Sequence, residues 1–132
     1  MIDKREIGRR GEAAAAAYLE RNGYTVTDRN LRVPTGEIDI VATDKDGCFM
    51  FVEVKTRKNA DYGYASEFVD KNKQRRLMSA AEYYLGRDVY MRFYIIEVYY
   101  VMKNDMMYIT EINHIENAFE GEPDDRDIQK DI

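Results

Sequence analysis

GEIDIVATDKDGCFMFVEVKTR, residues 36–57, decides how this chain folds. EIDIVAT and CFMFVEVKTR are β-branched and aromatic runs, and Asp44-Lys45-Asp46-Gly47 between them has the composition and length of a hairpin turn. Alternation along the second run puts Phe49, Phe51, Glu53, Lys55 and Arg57 on one face and Met50, Val52, Val54 and Thr56 on the other. Both faces begin apolar, so this strand is expected at the centre of a sheet. In the first run Ile38, Ile40 and Ala42 share one face, and Glu37, Asp39, Val41 and Thr43 share the other. Pairing the charged faces gathers Asp39, Glu53 and Lys55 at one end of the hairpin, with Glu37 nearby. Unpaired carboxylates are expensive to bury, so this cluster needs a cation, either the Lys55 ammonium or a metal ion.

Outward from the hairpin the signals alternate between helix and strand. Asp3 and Glu6 have capping-box spacing, and Ile7, Gly11, Ala14, Ala15, Tyr18 and Leu19 form one apolar stripe up to the Asn22-Gly23 stop, which predicts a first helix. YTVTDRNLRV, residues 24–33, reads as an edge strand ended by Pro34 and Gly36. Residues 58–65 read as a loop, and a second helix opens at Ser66 and closes at Gly86. MRFYIIEVYYVM and MMYITEI, either side of Lys103-Asn104-Asp105, give two further strands. The order predicts an α/β fold in which helices flank a mixed sheet.

At 132 residues the chain fits one domain, and with 45% hydrophobic and 34% charged residues it is too apolar to be disordered. A single Cys rules out an intramolecular disulfide or a four-thiolate metal site. The opening MIDKREIGRR has no apolar run like a signal peptide, and no run approaches the roughly 20 residues of a spanning helix, so a cytoplasmic protein without membrane contact is expected. The net charge of −5 is local. Residues 116–132 hold seven acids and two bases, leaving eighteen of each in the other 115 residues. Domain boundaries of 1–119 for the folded body and 120–132 for a mobile acidic tail follow. Any acids gathered in one site leave the rest of that body net basic.

Two carboxylates and a lysine are what metal-assisted phosphodiester hydrolysis calls for. Mg²⁺ or Mn²⁺ prefers oxygen donors and keeps several waters, so Asp39, Glu53 and the carbonyl of Val54 suffice to hold it. Lys55, on the Glu53 side of its strand, can orient the attacking water and offset charge on phosphorus. A salt-bridge ladder on an exposed strand is the competing explanation.

The spacing of Asp39 from Glu53-Val54-Lys55 resembles the PD-(D/E)xK, or restriction-endonuclease-like, nuclease superfamily. With GRRGEAAAAAYLERNGY, GEIDIVA, FVEVKTR and KQRRLMSAAEYYL taken together, residues 5–98 resemble the bacterial YraN-type family of endonuclease-like proteins, and are similar to the archaeal Holliday-junction resolvases. The resemblance implies a three-layer αβββαβ core and a metal-dependent endonuclease acting on branched or single-stranded DNA. Ile38 stands where the superfamily name has Pro, and Tyr94 where the family's strand is expected to carry Asp. The resemblance also implies that a first-helix Glu joins the site. Glu12 falls at the edge of the apolar stripe, where it can face the sheet or pair with an Arg.

Lys71, Lys73, Arg75 and Arg76 crowd the second helix, and Arg57 and Lys58 lie beside the hairpin, together with Arg32. They are candidates for phosphate contact, or simply a solvated face. Most of the eleven Tyr, including Tyr84, Tyr94 and Tyr99, read as core or interface residues, which leaves room for a homodimer. His114 and Cys48 lack partners at ligand spacing and read as structural. A non-catalytic nucleic-acid or protein-binding module on the same fold is the alternative to the nuclease.

Overall fold

The computed structural model describes residues 2–58, 71–86 and 89–120, apart from the side chains of Lys73 and of residues 117–120. The elements are α1 (Lys4–Arg21), β1 (Thr25–Val33), β2 (Gly36–Thr43), β3 (Phe49–Lys58), α2 (Lys71–Leu85), β4 (Met91–Lys103) and β5 (Met106–Glu120). The predicted order holds. The expected start of the second helix at Ser66, the loop before it and the acidic tail beyond Glu120 lie outside the described residues. β5 runs eight residues past its expected end at Ile112, so residues 116–120, grouped by composition with the acidic stretch, are strand.

The five strands form one sheet in sequence order, with β3 at its centre. β1, β2 and β3 pair antiparallel, β3 and β4 parallel, and β4 and β5 antiparallel. Because β3 and β4 run parallel, the chain must cross a face of the sheet between them, and α2 lies on that crossing. α1 covers the opposite face, giving three layers. Leu77, Met78, Ala80 and Ala81 of α2 pack on Ile38, Val41, Phe51, Phe93 and Ile95. Ala15, Ala16 and Leu19 of α1 pack on Ile40, Ala42, Met50, Val52, Tyr94, Ile96 and Val98.

Local chemistry sets the ends of these elements. Asp3 caps α1 by accepting the Glu6 N–H at 2.9 Å, but the Glu6 carboxylate completes no box, because it turns instead to Arg9 and Arg10. Gly86 closes α2 in the left-handed region at φ 93° and donates its N–H to the Glu82 carbonyl. In the β2–β3 turn Asp44 Oδ1 accepts from the N–H groups of Asp46 and Cys48, at 2.8 and 3.0 Å. α1 approaches β3 at Gly11, where an added Cβ would overlap the Thr56 hydroxyl and stand 2.9 Å from its Cβ. Gly11→Ala should therefore cost about 1–3 kcal/mol in a denaturant titration, since the Cβ and Cγ2 of Thr56, both 2.9 Å from the added atom, would have to shift.

One alternation rule fails in β2. Ile38 does not share a face with Ile40 and Ala42: it packs under α2 with Val41, while they pack under α1. The β2–β3 ladder runs from Thr43 opposite Phe49 to Ile40 opposite Val52 and stops there. Across β1, Asn30 lies between the partners of Ile40 and Ile38 and adopts φ 53°. A left-handed residue costs about 1 kcal/mol, less for Asn, whereas burying an Ile side chain contributes about 2 kcal/mol. The kink is thus favourable, and it parts β2 from β3 at Asp39.

Candidate active site

Where the two strands separate, the Val54 N–H has no ladder carbonyl from β2. The Asp39 carboxylate takes that place, with Oδ2 accepting from Val54 N at 2.8 Å. A side chain thereby substitutes for backbone in the opening of the sheet. Glu53, the preceding residue on β3, lines with Asp39 a cavity of about 320 Å³ that Gly36, Glu37, Arg76 and Leu77 complete. Gly36 makes a close contact with α2: an added Cβ would stand 3.2 Å from the Arg76 carbonyl, a tight fit. Arg76 therefore reaches the cavity because α2 sits tightly on the start of β2.

Burial, and after it the Glu53 charge, push the Asp39 carboxyl up to about 7. The Val54 N–H opposes this, while Glu12 and Glu37 add smaller repulsions. The expected gathering of Asp39 and Glu53, with Glu37 close by, is what the structure has. Glu12 opens elsewhere. It lines a second cavity, on the α1 side of β3, with Lys4, Ile7, Gly8, Val54, Thr56 and Tyr100, and acts on Asp39 only through its charge.

Lys55 is half-buried on the α2 side of β3, in parallel register with Glu97, and is not among the described residues lining the Asp39 cavity. Glu97 is the acid that sequence reasoning missed. It is 2% exposed, accepts from Asn113 Nδ2 at 2.8 Å, and lies 3.4 Å from Arg57 Nε. A signal for it existed: along MRFYIIEVYYVM it follows Phe93 and Ile95 on one face, and a lone acid in so apolar a strand must bring its partner with it. Arg57 is that partner, its guanidinium beside the Glu97 carboxylate. Beyond Phe51 and Ile95 the sheet face under α2 thus turns polar, through Glu53, Lys55, Arg57, Glu97 and Asn113.

Of the other expected phosphate contacts, Lys58, Lys71, Arg75 and Arg76 are exposed, as is Arg32 on β1. Arg75 hydrogen-bonds Asn72 at 3.3 Å. Lys73 falls in α2, its side chain outside the described ones. Tyr94 and Tyr99 are core residues, and Tyr84 reaches Asp28 through its hydroxyl. His114 is held by the Tyr18 hydroxyl at 3.3 Å and by the edges of Tyr24 and Tyr94, and burial lowers its pKa, as fits a structural role.

A three-layer α/β protein with a carboxylate pair at a split in its central sheet is the class these features define. The chain belongs to the Uncharacterised protein family UPF0102, whose model matches residues 11–98, in line with the YraN-type resemblance. A UPF0102 protein of Caldicellulosiruptor saccharolyticus is 41% identical over 122 residues, 89% of this chain and 100% of its own length. One from Geobacter sulfurreducens is 46% identical over 118 residues, 86% of this chain and 88% of that one. Among solved structures the chain is similar to a repair endonuclease from Pyrococcus abyssi, with TM-score 0.41 and 22% identity over 62% of this chain and 36% of that one. It is also similar to Pyrococcus furiosus SfsA in complex with Ca²⁺, with TM-score 0.46 and 18% identity over 88% and 64%. Among the described residues no helix is long and apolar enough to cross a membrane.

Proposed function

We propose that this protein is a cytoplasmic, metal-dependent endonuclease that hydrolyses phosphodiester bonds of branched or single-stranded DNA. The observation that carries the reading is the Asp39 carboxylate, wedged into the gap between β2 and β3, desolvated, and repelled by Glu53 at the same cavity. Two carboxylates that repel one another in a partly desolvated cavity are stabilised by a cation placed between them.

A divalent cation fits this donor set. No group of three His, Cys, Asp or Glu able to hold a metal occurs among the described residues, but Mg²⁺ needs only one or two protein carboxylates because it retains waters. Asp39 and Glu53 would hold it, with the carbonyl of Val54 as a third oxygen. When bound, it supplies Lewis acidity at the phosphoryl oxygen and a water of lowered pKa. Asp39 is fixed for this task by the Val54 N–H. Lys55 Nζ would donate a hydrogen bond to the attacking water and offset the charge gathering on the phosphoryl oxygens. Exposed Arg76, on the cavity wall, would hold the adjacent phosphate.

The Glu97–Arg57–Asn113 network on the same sheet face favours the second reading, a binding module whose acids form a structural network. Incubating the protein with duplex, single-stranded, flap and four-way DNAs separates the two. Cleavage that requires Mg²⁺ or Mn²⁺ and disappears in Asp39→Ala is the expected result. Binding without metal-dependent cutting of any substrate would leave the module.

A further inference from the structure

Gly8 stands in the middle of α1, where glycine costs about 1 kcal/mol relative to alanine. No close packing among the described residues asks for it. A Cβ added at Gly11 collides with Thr56, but a Cβ added at Gly8 meets no atom within 4 Å. Gly8 instead lines the cavity of about 370 Å³ on the α1 side of β3. Bare helix backbone at the wall of a cavity is what close approach of a ligand requires.

The neighbours name the ligand's chemistry. Lys4, Gly8 and Glu12 are four residues apart and form one row along α1, facing Val54, Thr56 and Tyr100 across the cavity. Lys4 is exposed and has no ion-pair partner among the described residues. Val54 is shared ground: it borders this cavity, and its N–H holds Asp39 at the other. The two cavities therefore flank one point of β3, with Arg76 of α2 on one side and Lys4 of α1 on the other. Glu12, half-buried, closes the inner end of the row, so exposed Lys4 and the bare ledge at Gly8 form an outer rim that suits a phosphate of a chain carrying regularly spaced negative charge.

The geometry points to the α1-side cavity as a second nucleic-acid subsite, in which Lys4 pairs with a phosphate and the backbone of the strand lies against Gly8. A bound strand crosses β3 at Val54, so that the phosphates either side of the scissile bond contact different helices. This rests on the nucleic-acid reading above and assigns α1 a share of the substrate that the basic run on α2 does not cover.

Gly8→Ala is the test, because the space around Gly8 lets the variant fold. Its melting temperature should rise by about 2–5 °C through helix propensity. Its affinity for a short fluorescent single-stranded DNA, measured by anisotropy in EDTA, should fall roughly tenfold, because a methyl group holds the strand off the ledge. Lys4→Gln should weaken binding several-fold and lower the salt slope by about one phosphate contact, whereas Lys45→Gln, at the far hairpin turn, leaves both unchanged. A Gly8→Ala protein that is more stable and binds as tightly as wild type overturns the subsite and leaves the nuclease reading standing. Wild-type protein that binds no nucleic acid overturns both.

Discussion

Lys55→Met should yield a folded protein that no longer cuts DNA. In the nuclease reading its ammonium acts on the attacking water and on charge that develops during reaction, so its loss should lower the cleavage rate by roughly 10²–10³-fold or more. Mn²⁺ and DNA affinities should change by only a few-fold. The structure sharpens the contrast with a binding module. Glu97, the register neighbour of Lys55, is already served by Arg57 and Asn113, so Lys55 is not needed to neutralise it. Only Asp39 and Glu53 could lose a counter-ion. If that were its role, unfolding free energy would drop by about 1–2 kcal/mol, since these side chains are only half-buried, with no activity to lose. A melt and a cleavage gel on one variant decide, and wild-type cutting by Lys55→Met, beside an inactive Asp39→Ala control, would remove Lys55 from the mechanism.

The metal-free protein should lose stability as pH rises, the reverse of ordinary carboxylate behaviour. The Asp39 carboxyl is raised from 3.8 to about 7 in the fold, first by burial and then by Glu53. Between those values the folded state binds the proton and the unfolded state does not, so each step up in pH favours unfolding. The contribution is fully lost above about pH 7 and amounts to about 2–4 kcal/mol, allowing for the partial exposure of the group. The carboxamide introduced by Asp39→Asn keeps an oxygen for the Val54 N–H and carries no charge. That variant should flatten the slope in EDTA, be more stable than wild type at pH 8 and equal to it near pH 4. Mg²⁺ should stabilise the wild type at pH 8 and leave Asp39→Asn unaffected. Urea titrations at the two pH values, with and without Mg²⁺, would contradict this if wild type without metal were the more stable form at pH 8.

What sequence patterning could reach was whatever a single strand or helix decides by itself. Period-two alternation in residues 49–57 correctly separated Phe51 and Glu53 from Met50 and Val52, because β3 is regular and covered on both faces. Capping and glycine signals placed α1 and the end of α2 for the same reason. Ile38 escaped the rule because its side is set by a neighbour: Asn30 turns left-handed and the ladder ends, neither of which β2 encodes. β5 was cut short because Asn113, His114 and Glu116 are poor strand formers, whereas thirteen-residue β4 offers a paired edge along most of its length. The polar floor was half visible. Glu53 and Lys55 stand in a motif, but Glu97 gains meaning only once the parallel register sets it beside Lys55 and Arg57.

The acids of the site come from β2 and β3, which a tight turn joins, while the proposed phosphate contacts, Arg76 and Lys4, come from α2 and from α1. The β1–β2–β3 meander is built from contacts close in sequence and depends on no distant loop closure. Chemistry and recognition can therefore diverge at different rates. In the nuclease reading, changes outside the α2 contact with Gly36 would remodel which nucleic-acid shapes fit while leaving Asp39 beside Glu53. If the nuclease reading holds, a lineage built on this plan can change its targets while inheriting one cutting centre.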